Sequence, residues 1–296
     1  MEKKLYSCTL CPHKCMVNRE DGKLGRCKSS KNVKIALYSI HNYEEPCISG
    51  KNGSGTIFFS NCNLNCVFCQ NYEISQLGRG KEISTSELAD IFLEQQKRNA
   101  ENINLVTPTS YVTQIVEAID IARKRGLNLP IIYNTNGYED VQTLKELKGY
   151  IDIYMPDFKY AENSLAKKLS NVDNYFEIAT QAIKEMYKQV GIPSINNRGV
   201  MTKGILIRHL VLPGYIENSK KVLKWISKEL PHDIYISVMA QYFPTYKAKQ
   251  YDKINRKLTN DEWQQILDYI EELNIQNGYV QELGEHEEEY VPKWEY

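Results

Sequence analysis

Residues 56–69, TIFFSNCNLNCVFC, decide the fold, because a buried strand leads here directly into three closely spaced cysteines. Residues 56–60 are apolar, aromatic or β-branched, which is typical of a strand covered on both faces. Cys62, Cys66 and Cys69 follow with C-x3-C-x2-C spacing, and the asparagines between them favour tight turns. We therefore predict a compact metal-binding loop at the C-terminal end of a buried strand.

Five further runs of the same kind follow, and amphipathic helical stretches separate them. The predicted strands are residues 56–60, 103–107, 131–135, 151–155, 205–212 and 234–240. The predicted helices begin after a capping box at Ser84 and Glu87, near residue 113, at 175–190, at 219–230, and after a second capping box at Thr259 and Glu262.

Six strands, each followed by a helix, predict an α/β fold with right-handed crossovers. Six units are fewer than the eight of a closed TIM barrel, so we expect a partial (β/α)6 TIM-type barrel. Functional side chains of such folds lie at the C-terminal ends of the strands. The unusual polar residues of this chain also follow the predicted strands, which supports the assignment.

The chain divides into three parts by composition. Residues 1–50 are cysteine-rich and basic with little helical periodicity, and we predict a small metal-binding extension there. Residues 51–283 hold the barrel. Residues 284–296 contain the acidic run 285–289, which predicts a solvated acidic tail.

Composition excludes several classes of protein. The chain has 296 residues with 37 basic and 37 acidic side chains, so no overall positive field favours nucleic acid. No stretch approaches the roughly 18 apolar residues that a membrane span needs, and we expect neither a nucleic-acid nor a membrane partner. Because clustered thiols in a reducing compartment are typical of metal ligands, we predict a cytoplasmic metalloprotein.

The three-cysteine loop is one ligand short of a complete metal site. A [4Fe-4S] cluster held by three thiolates leaves one iron without a protein ligand, open to another molecule. Two alternatives are a zinc site completed by a distant His or Cys, and a buried cluster with four protein ligands.

The C-x3-C-x2-C spacing with Phe68 before the last cysteine resembles the signature loop of the radical S-adenosylmethionine (SAM) superfamily. The stretches CTLCPHKC, YNTNGY, DIYMPDFKY, RHLVLPG and MAQYFP resemble one branch, the relatives of pyruvate formate-lyase activating enzyme, particularly the PflX-like iron-sulfur proteins. This resemblance implies a [4Fe-4S] cluster that binds SAM, one-electron reduction by flavodoxin or ferredoxin, and a 5'-deoxyadenosyl radical that abstracts a hydrogen atom.

The resemblance also implies roles for individual residues. Cys62, Cys66 and Cys69 would ligate the cluster and serve in catalysis. Thr107 and Thr109 stand where the family has a glycine-rich segment that meets the amino group of SAM. They are expected to bind the cofactor in its place.

Other strand ends match further cofactor-binding positions of the family. Asp157 and Lys159 match an Asp-x-Lys pair near the ribose and carboxylate of SAM. Arg208 matches a strand-end arginine, whose planar guanidinium suits a carboxylate. The remaining expected cofactor-binding residues are Asn134, Asn136 and Gln241.

The resemblance further implies a monovalent cation. Thr135, Met155 and Asp157 match positions that bind such an ion in the family. Asn134 replaces an aspartate there, so this chain departs from the pattern at one ligand.

Four more cysteines form a second set in the N-terminal extension. Cys8, Cys11, Cys15 and Cys27 have C-x2-C-x3-C-x11-C spacing. Four thiolates close a site, which is then structural or carries electrons, and both zinc and a second [4Fe-4S] cluster fit them. Cys47 is predicted to be a lone buried thiol.

A partial barrel is open on one side, and we expect the substrate to be a peptide or protein. Activation of a glycyl radical enzyme and modification of a peptide both fit. The alternatives are a small-molecule substrate, a radical methyltransferase or epimerase, and a non-catalytic iron-sulfur or zinc protein that carries electrons.

Overall fold

The computed structural model describes residues 3–284 and Trp294. The predicted acidic run at 285–289 lies outside the described residues. The strands are β1 Val33–His41, β2 Ser54–Phe59, β3 Lys81–Ile83, β4 Ile103–Val106, β5 Ile131–Thr135, β6 Ile153–Pro156, β7 Ser194–Ile195, β8 Met201–Leu210, β9 Tyr235–Met239 and β10 Gly278–Val280.

Helices follow most of these strands. They are α1 Lys3–Tyr6, α2 Pro46–Ser49, α3 Tyr72–Ser75, α4 Thr85–Lys97, α5 Val112–Lys124, α6 Val141–Glu146, α7 Asn163–Ser170, α8 Tyr175–Val190, α9 Ile216–Glu229 and α10 Asn260–Glu272. In the part of the chain that the structure describes, no helix combines the length and apolar character needed to cross a bilayer.

The strands form one curved sheet in the order β10-β9-β8-β6-β5-β4-β2-β1-β3, with β7 paired to β8. All six predicted strands are present, and they run parallel as β2, β4, β5, β6, β8 and β9. The two ends of the sheet, β10 and β3, are not neighbours in this order. The fold is therefore the predicted α/β partial barrel.

Four strands were not predicted. β10 adds a seventh parallel strand beside β9, whereas β1 is antiparallel to β2 and carries β3 on its outer side. β3, β7 and β10 have only two or three residues, too few to show a period in sequence. Composition assigned residues 33–49 to the N-terminal extension, but in the structure they form strand β1 of this sheet and helix α2, which packs on it. The domain boundary at residue 50 stays a prediction.

Two apolar layers cover the two faces of the sheet. The larger lies between the strands and the outer helices, and includes Tyr133 and Tyr154, which make an edge-on ring contact at 5.9 Å. The smaller lies on the inner face, where Cys47 and Ile48 of α2 pack against barrel residues such as Met155. Helix α2 therefore packs against the inner face, and the predicted buried thiol of Cys47 belongs to this inner layer.

Local signals at the helix ends agree with the predictions. The capping boxes of α4 and α10 are both present, with reciprocal bonds between Ser84 and Glu87 and between Thr259 and Glu262.

Beyond the barrel, Trp294 packs edge-on against Phe58 at a ring distance of 5.3 Å.

Candidate active site

The three loop cysteines lie between β2 and α3, and each sulfur has a polar neighbour. Polar donors around a sulfur stabilise its thiolate form. The contacts are Cys62 Sγ with the Leu64 backbone N–H (3.4 Å), Cys66 Sγ with Ser170 Oγ (3.0 Å) and Cys69 Sγ with Ser75 Oγ (3.2 Å).

Segments distant in sequence hold this loop in shape. The Val67 N–H donates to the Leu169 carbonyl at the end of α7, and its carbonyl accepts from the Lys247 N–H, both at 2.9 Å. Asn63 Nδ2 donates to the Tyr138 carbonyl at 2.8 Å. Hydrogen bonds to three distant segments of the chain therefore hold the loop in place.

Burial changes the acidity of the loop thiols. It raises the pKa of Cys66 to about 11, and it raises the pKa of Cys62 and Cys69 as well. Neighbouring thiols add to the pKa shifts of Cys62 and Cys66, whereas the Asp157 carboxylate adds to that of Cys69. These thiols keep their protons at neutral pH until a metal binds, and metal binding then releases them. One buried thiol, Cys66, and two half-buried thiols, Cys62 and Cys69, lie on one short loop with a polar partner each, and this arrangement fits a [4Fe-4S] cluster.

A cavity of about 560 Å³ opens beside this loop. Its lining joins the loop to the C-terminal ends of the parallel strands, as the fold class predicts. The predicted site residues that line it are Cys62, Cys66, Cys69, Thr107, Asn134, Asn136, Asp157, Lys159, Arg208 and Gln241.

Charged groups in the cavity form one ion-pair network. Asp157 accepts from Lys159 Nζ at 2.7 Å and from Arg208 Nε at 3.0 Å. Burial opposes ionisation of Asp157, but the two cations outweigh it and hold its pKa below the usual value. Arg208 Nη2 also donates to Asn134 Oδ1 at 2.8 Å. A fixed carboxylate with two cations is thus placed within reach of the loop.

Two carboxylates of the cavity were not predicted. Glu44 Oε2 lies 3.2 Å from Arg208 Nη1, and its other oxygen accepts from Asn104 Nδ2 at 3.0 Å. Glu45 Oε2 is buried and has no hydrogen-bond partner among the described residues. Burial raises the pKa of both carboxyls against the opposing charge of Arg208. Glu44 and Glu45 precede α2 in the stretch HNYEEPCISG, which also resembles the family, but the resemblance assigned no role to either carboxylate.

Thr109 lies outside the cavity lining. Its hydroxyl is buried and donates to Glu139 Oε1 at 2.6 Å, and the Thr135 hydroxyl donates to the same carboxylate. Burial raises the pKa of Glu139 to about 7, although these hydroxyl groups oppose the shift. The structure therefore connects two predicted site residues to an unpredicted buried acid.

The three expected cation positions lie around the end of β5 and β6. Thr135 and Asp157 line the cavity, and their backbones are joined by a bond from the Asp157 N–H to the Thr135 carbonyl at 2.8 Å. Met155 is fully buried in the inner layer. The cation itself stays a prediction.

The other predicted residues sit at the cavity wall. Asn136 Nδ2 donates to Cys62 Sγ at 3.4 Å and to Asn63 Oδ1 at 2.7 Å, so it contacts the loop directly. Gln241 accepts through its side chain from Gln281 at 2.9 Å. Thr107 has a left-handed backbone with φ 60°, which is rare for a β-branched residue and is commonest at functional sites.

The N-terminal cysteines lie in a stretch of turns that packs beside the loop, and Cys8, Cys11 and Cys15 share a hairpin-like turn closed between residues 8 and 17. Cys8 exchanges backbone bonds with Val17 and Met16 at 2.9 and 3.0 Å. Burial raises the pKa of Cys11, and the nearby thiols of Cys27 and Cys8 add to that shift. Across residues 3–284 and 294, no three His, Cys, Asp or Glu side chains form a group that would hold a single metal ion. The occupant of this second set stays a prediction.

His13 connects this hairpin to the three-cysteine loop. Its Nε2 donates to the Asn63 carbonyl at 2.8 Å, and its ring lies 5.4 Å from that of Tyr138. Both cysteine sets therefore touch the same part of the structure.

Comparisons with known proteins agree with this geometry. Residues 56–226, more than half of the chain, match the Radical SAM superfamily family. The Methanocaldococcus jannaschii protein MJ0674 is 34% identical over 282 residues, covering 91% of this chain and 75% of its own.

Two solved structures share the fold at low identity. Streptococcus suis SuiB bound to S-adenosylmethionine matches with TM-score 0.50 and 15% identity, over 79% of this chain and 51% of SuiB. The FeFe-hydrogenase maturase HydG from Carboxydothermus hydrogenoformans matches with TM-score 0.51 and 14% identity, over 78% of this chain and 53% of HydG. The chain thus spans about half the length of these two structures.

Proposed function

The chain belongs to the radical SAM superfamily, a family of enzymes that use a [4Fe-4S] cluster and SAM, and from this premise we propose its reaction. Cys62, Cys66 and Cys69 would hold the cluster, which when bound would supply the one electron that splits SAM into methionine and a 5'-deoxyadenosyl radical. The radical removes a hydrogen atom from a peptide or protein substrate. The reaction is either activation of a glycyl radical enzyme or modification of a peptide.

One observation carries this proposal: the three loop thiols and all the predicted cofactor-binding residues except Thr109 line the same cavity. Asp157, Lys159 and Arg208 alternate in charge there, and they fit the carboxylate, amino and hydroxyl groups of a bound SAM. Asn136 contacts Cys62 and Asn63, and so orients the loop against the cofactor. The role of these residues is to position the cofactor and exclude water from the reactive carbon.

The sheet edge beside the cavity supports a polymeric substrate. The described sheet ends at β10 on one side, and β10 residues Tyr279 and Val280 line the cavity, with Val280 45% exposed. An extended peptide can therefore approach along this edge. A small-molecule substrate is the second candidate, because a cavity of about 560 Å³ is also within the range of small-ligand sites.

The cellular setting follows from the same chemistry. All eight cysteines are free thiols, which supports a reducing, cytoplasmic compartment. Flavodoxin or ferredoxin is the proposed electron donor. The monovalent cation and the metal of the N-terminal set, zinc or a second [4Fe-4S] cluster, belong to this proposal as additional ligands.

The test is formation of 5'-deoxyadenosine. The full chain, reconstituted with iron and sulfide and reduced with dithionite, is expected to produce it from SAM. The Cys62→Ala/Cys66→Ala/Cys69→Ala variant should produce none, and the control Cys47→Ala should keep the activity because Cys47 lies in the inner apolar layer. An intact cluster without product, and with an EPR spectrum that SAM leaves unchanged, would favour a plain electron carrier.

The substrate class is tested by isotope transfer. Cells grown in deuterated medium supply a macromolecular and a small-molecule fraction, and each is incubated with the enzyme and SAM. We expect deuterium in 5'-deoxyadenosine from the macromolecular fraction. Deuterium from the small-molecule fraction alone would favour the second candidate.

A further inference from the structure

Four exposed lysines lie on two segments that hydrogen-bond to the three-cysteine loop. They come from two separate parts of the chain, the end of α7 and the segment after β9. We call this group the basic rim, and it consists of Lys168, Lys247, Lys249 and Lys253.

Backbone hydrogen bonds connect the basic rim to the loop. Val67 lies between Cys66 and Cys69, and its carbonyl accepts directly from the Lys247 N–H at 2.9 Å. Its N–H donates to Leu169, the residue that follows Lys168, also at 2.9 Å. The two rim segments are thus hydrogen-bonded directly to Val67, which lies between the predicted cluster ligands Cys66 and Cys69.

Aromatic rings hold the lysines in place. Lys168 Nζ lies 3.5 Å from the Tyr215 hydroxyl, and Lys253 Nζ lies 5.0 Å from the centre of the same ring. Lys247 Nζ lies 5.1 Å from the centre of Tyr246, which stacks on Tyr72 of α3 at 4.8 Å. Buried residues fix the segment from within, namely Ala248, Ile254 and Leu258.

The charge of this surface differs from that of the whole chain. Residues 247–257 contain five basic side chains and one acidic side chain, whereas the chain as a whole has a formal net charge of zero. Arg256 is paired with Glu262 at 2.6 Å. Within residues 3–284 and 294, none of the four rim lysines forms an ion pair with a carboxylate. Their charge is therefore available to a partner.

We propose that the basic rim is the docking surface for an acidic protein that carries single electrons, such as a flavodoxin. This inference rests on the proposed function, in which each SAM cleavage consumes one electron. The reduced carrier gives up that electron while docked and leaves oxidised by one electron. Opposite charge steers the carrier to the side where the two rim segments hydrogen-bond to Val67 of the cysteine loop, and this raises the association rate more than the affinity.

The test reverses the charge of the rim. Lys168→Glu/Lys247→Glu/Lys249→Glu is compared with a control of equal charge change, Lys188→Glu/Lys224→Glu/Lys228→Glu. The control lysines are exposed near the ends of α8 and α9, which run away from the cysteine loop. Binding of a flavodoxin to the reconstituted full chain is measured by biolayer interferometry at low and high salt, and its rate of electron delivery by stopped-flow absorbance.

We expect the rim variant to lower the association rate constant by about tenfold or more at low salt, with little effect of the control. High salt should reduce the difference. Reduction by dithionite, which needs no docking surface, should proceed equally in all three proteins.

Equal flavodoxin binding by the rim and control variants would overturn the proposal. So would binding of RNA or anionic vesicles that depends on the rim, in a protein that binds no flavodoxin or ferredoxin. Failure of the proposed function looks different, because wild type would then form no 5'-deoxyadenosine even with dithionite.

Discussion

His209 lies fully buried on β8, where both ring nitrogens have partners. Nδ1 donates to the Phe158 carbonyl at 2.7 Å, and Nε2 accepts from Ser219 Oγ at 2.8 Å. This arrangement uses the neutral ring, and burial lowers the pKa of His209 to about 4 from the ordinary 6.5. Between these two values the unfolded chain binds a proton that the folded chain does not. The free energy of unfolding therefore falls as pH falls through this window.

We predict that His209 makes the protein acid-sensitive. From pH 7 to pH 5 its contribution to the free energy of unfolding falls by about 2 kcal/mol. His209→Asn should remove this slope, while the exposed control His232→Asn should keep it. Anaerobic urea unfolding at both pH values measures the difference. An unchanged slope in His209→Asn would contradict the assignment.

Glu139 affects stability in the opposite direction. Its carboxyl is buried, and its pKa of about 7 lies above the ordinary 4.5. In this window the folded chain binds a proton that the unfolded chain has lost. Its contribution to stability is full below pH 4.5 and is lost as pH rises towards 7.

Between pH 4.5 and pH 7, the contribution of Glu139 to the free energy of unfolding falls by about 3 kcal/mol, and we predict that Glu139→Gln removes this fall. The variant should therefore become more stable relative to wild type as pH rises. The exposed Glu117→Gln is the control and should follow wild type. The same urea series provides the measurement, and a constant difference across pH would refute the prediction.

At the scale of one element, helix α4 depends on its first turn. The Ser84 side chain accepts from the Glu87 N–H at 3.2 Å, and Glu87 Oε2 accepts from the Ser84 N–H at 2.8 Å. These bonds satisfy donors that a helix start leaves without partners.

Helix α4 packs against β1 and β2, and β2 leads directly into the cysteine loop. The cap therefore supports the site indirectly.

We predict that Ser84→Ala lowers the free energy of unfolding by about 1 kcal/mol. Ser86→Ala in the same exposed turn should be neutral or slightly stabilising, because alanine favours the helix interior. Chemical denaturation of the two variants side by side distinguishes capping from a general effect of removing serine. Equal losses in both would show that the cap adds nothing.

On the scale of the whole molecule, the N-terminal hairpin and the barrel meet at the cysteine loop. Arg19 is buried and donates from Nη1 to the Ser110 carbonyl at 2.7 Å, which fastens the hairpin to the segment after β4. His13 reaches Asn63 on the other side. The two cysteine sets thus lie side by side, and no cysteine belongs to both sets.

We predict that the two sets bind metal independently. Cys11→Ser/Cys27→Ser should lose the metal of the N-terminal set and keep the iron and sulfide at Cys62, Cys66 and Cys69. Anaerobic iron, sulfide and zinc analysis of wild type and variant identifies what is lost, with Cys47→Ser as control. A variant that loses all its iron would show that one set depends on the other.

The sequence by itself determined the six parallel strands, the five longest helices, the two capping boxes and the cysteine loop, but not the short helices α6 and α7. These features depend on local periodicity, on side chains a few residues apart and on ligand spacing, all of which can be read in a short window. The predicted strand-end residues, Thr109 excepted, also lie around one cavity, because strand ends of a parallel sheet meet at one edge, while their roles stay a prediction. Thr109 shows the limit of that rule, since it begins a 3-10 turn after β4 and its side chain bonds to Glu139 instead of facing the cavity.

Only the tertiary structure decided how distant segments come together. Glu44 reaches Arg208 across 164 positions of the chain, and Lys247 meets Val67 across a similarly long separation. Strand β10 has only three residues and joins the sheet through its pairing partner, not through a pattern of its own. The nine residues of β1 do alternate at Val33, Ile35 and Leu37, but composition assigned them to the N-terminal extension. Contacts of this kind depend on the position of the whole backbone in space, and no local window of sequence contains that information.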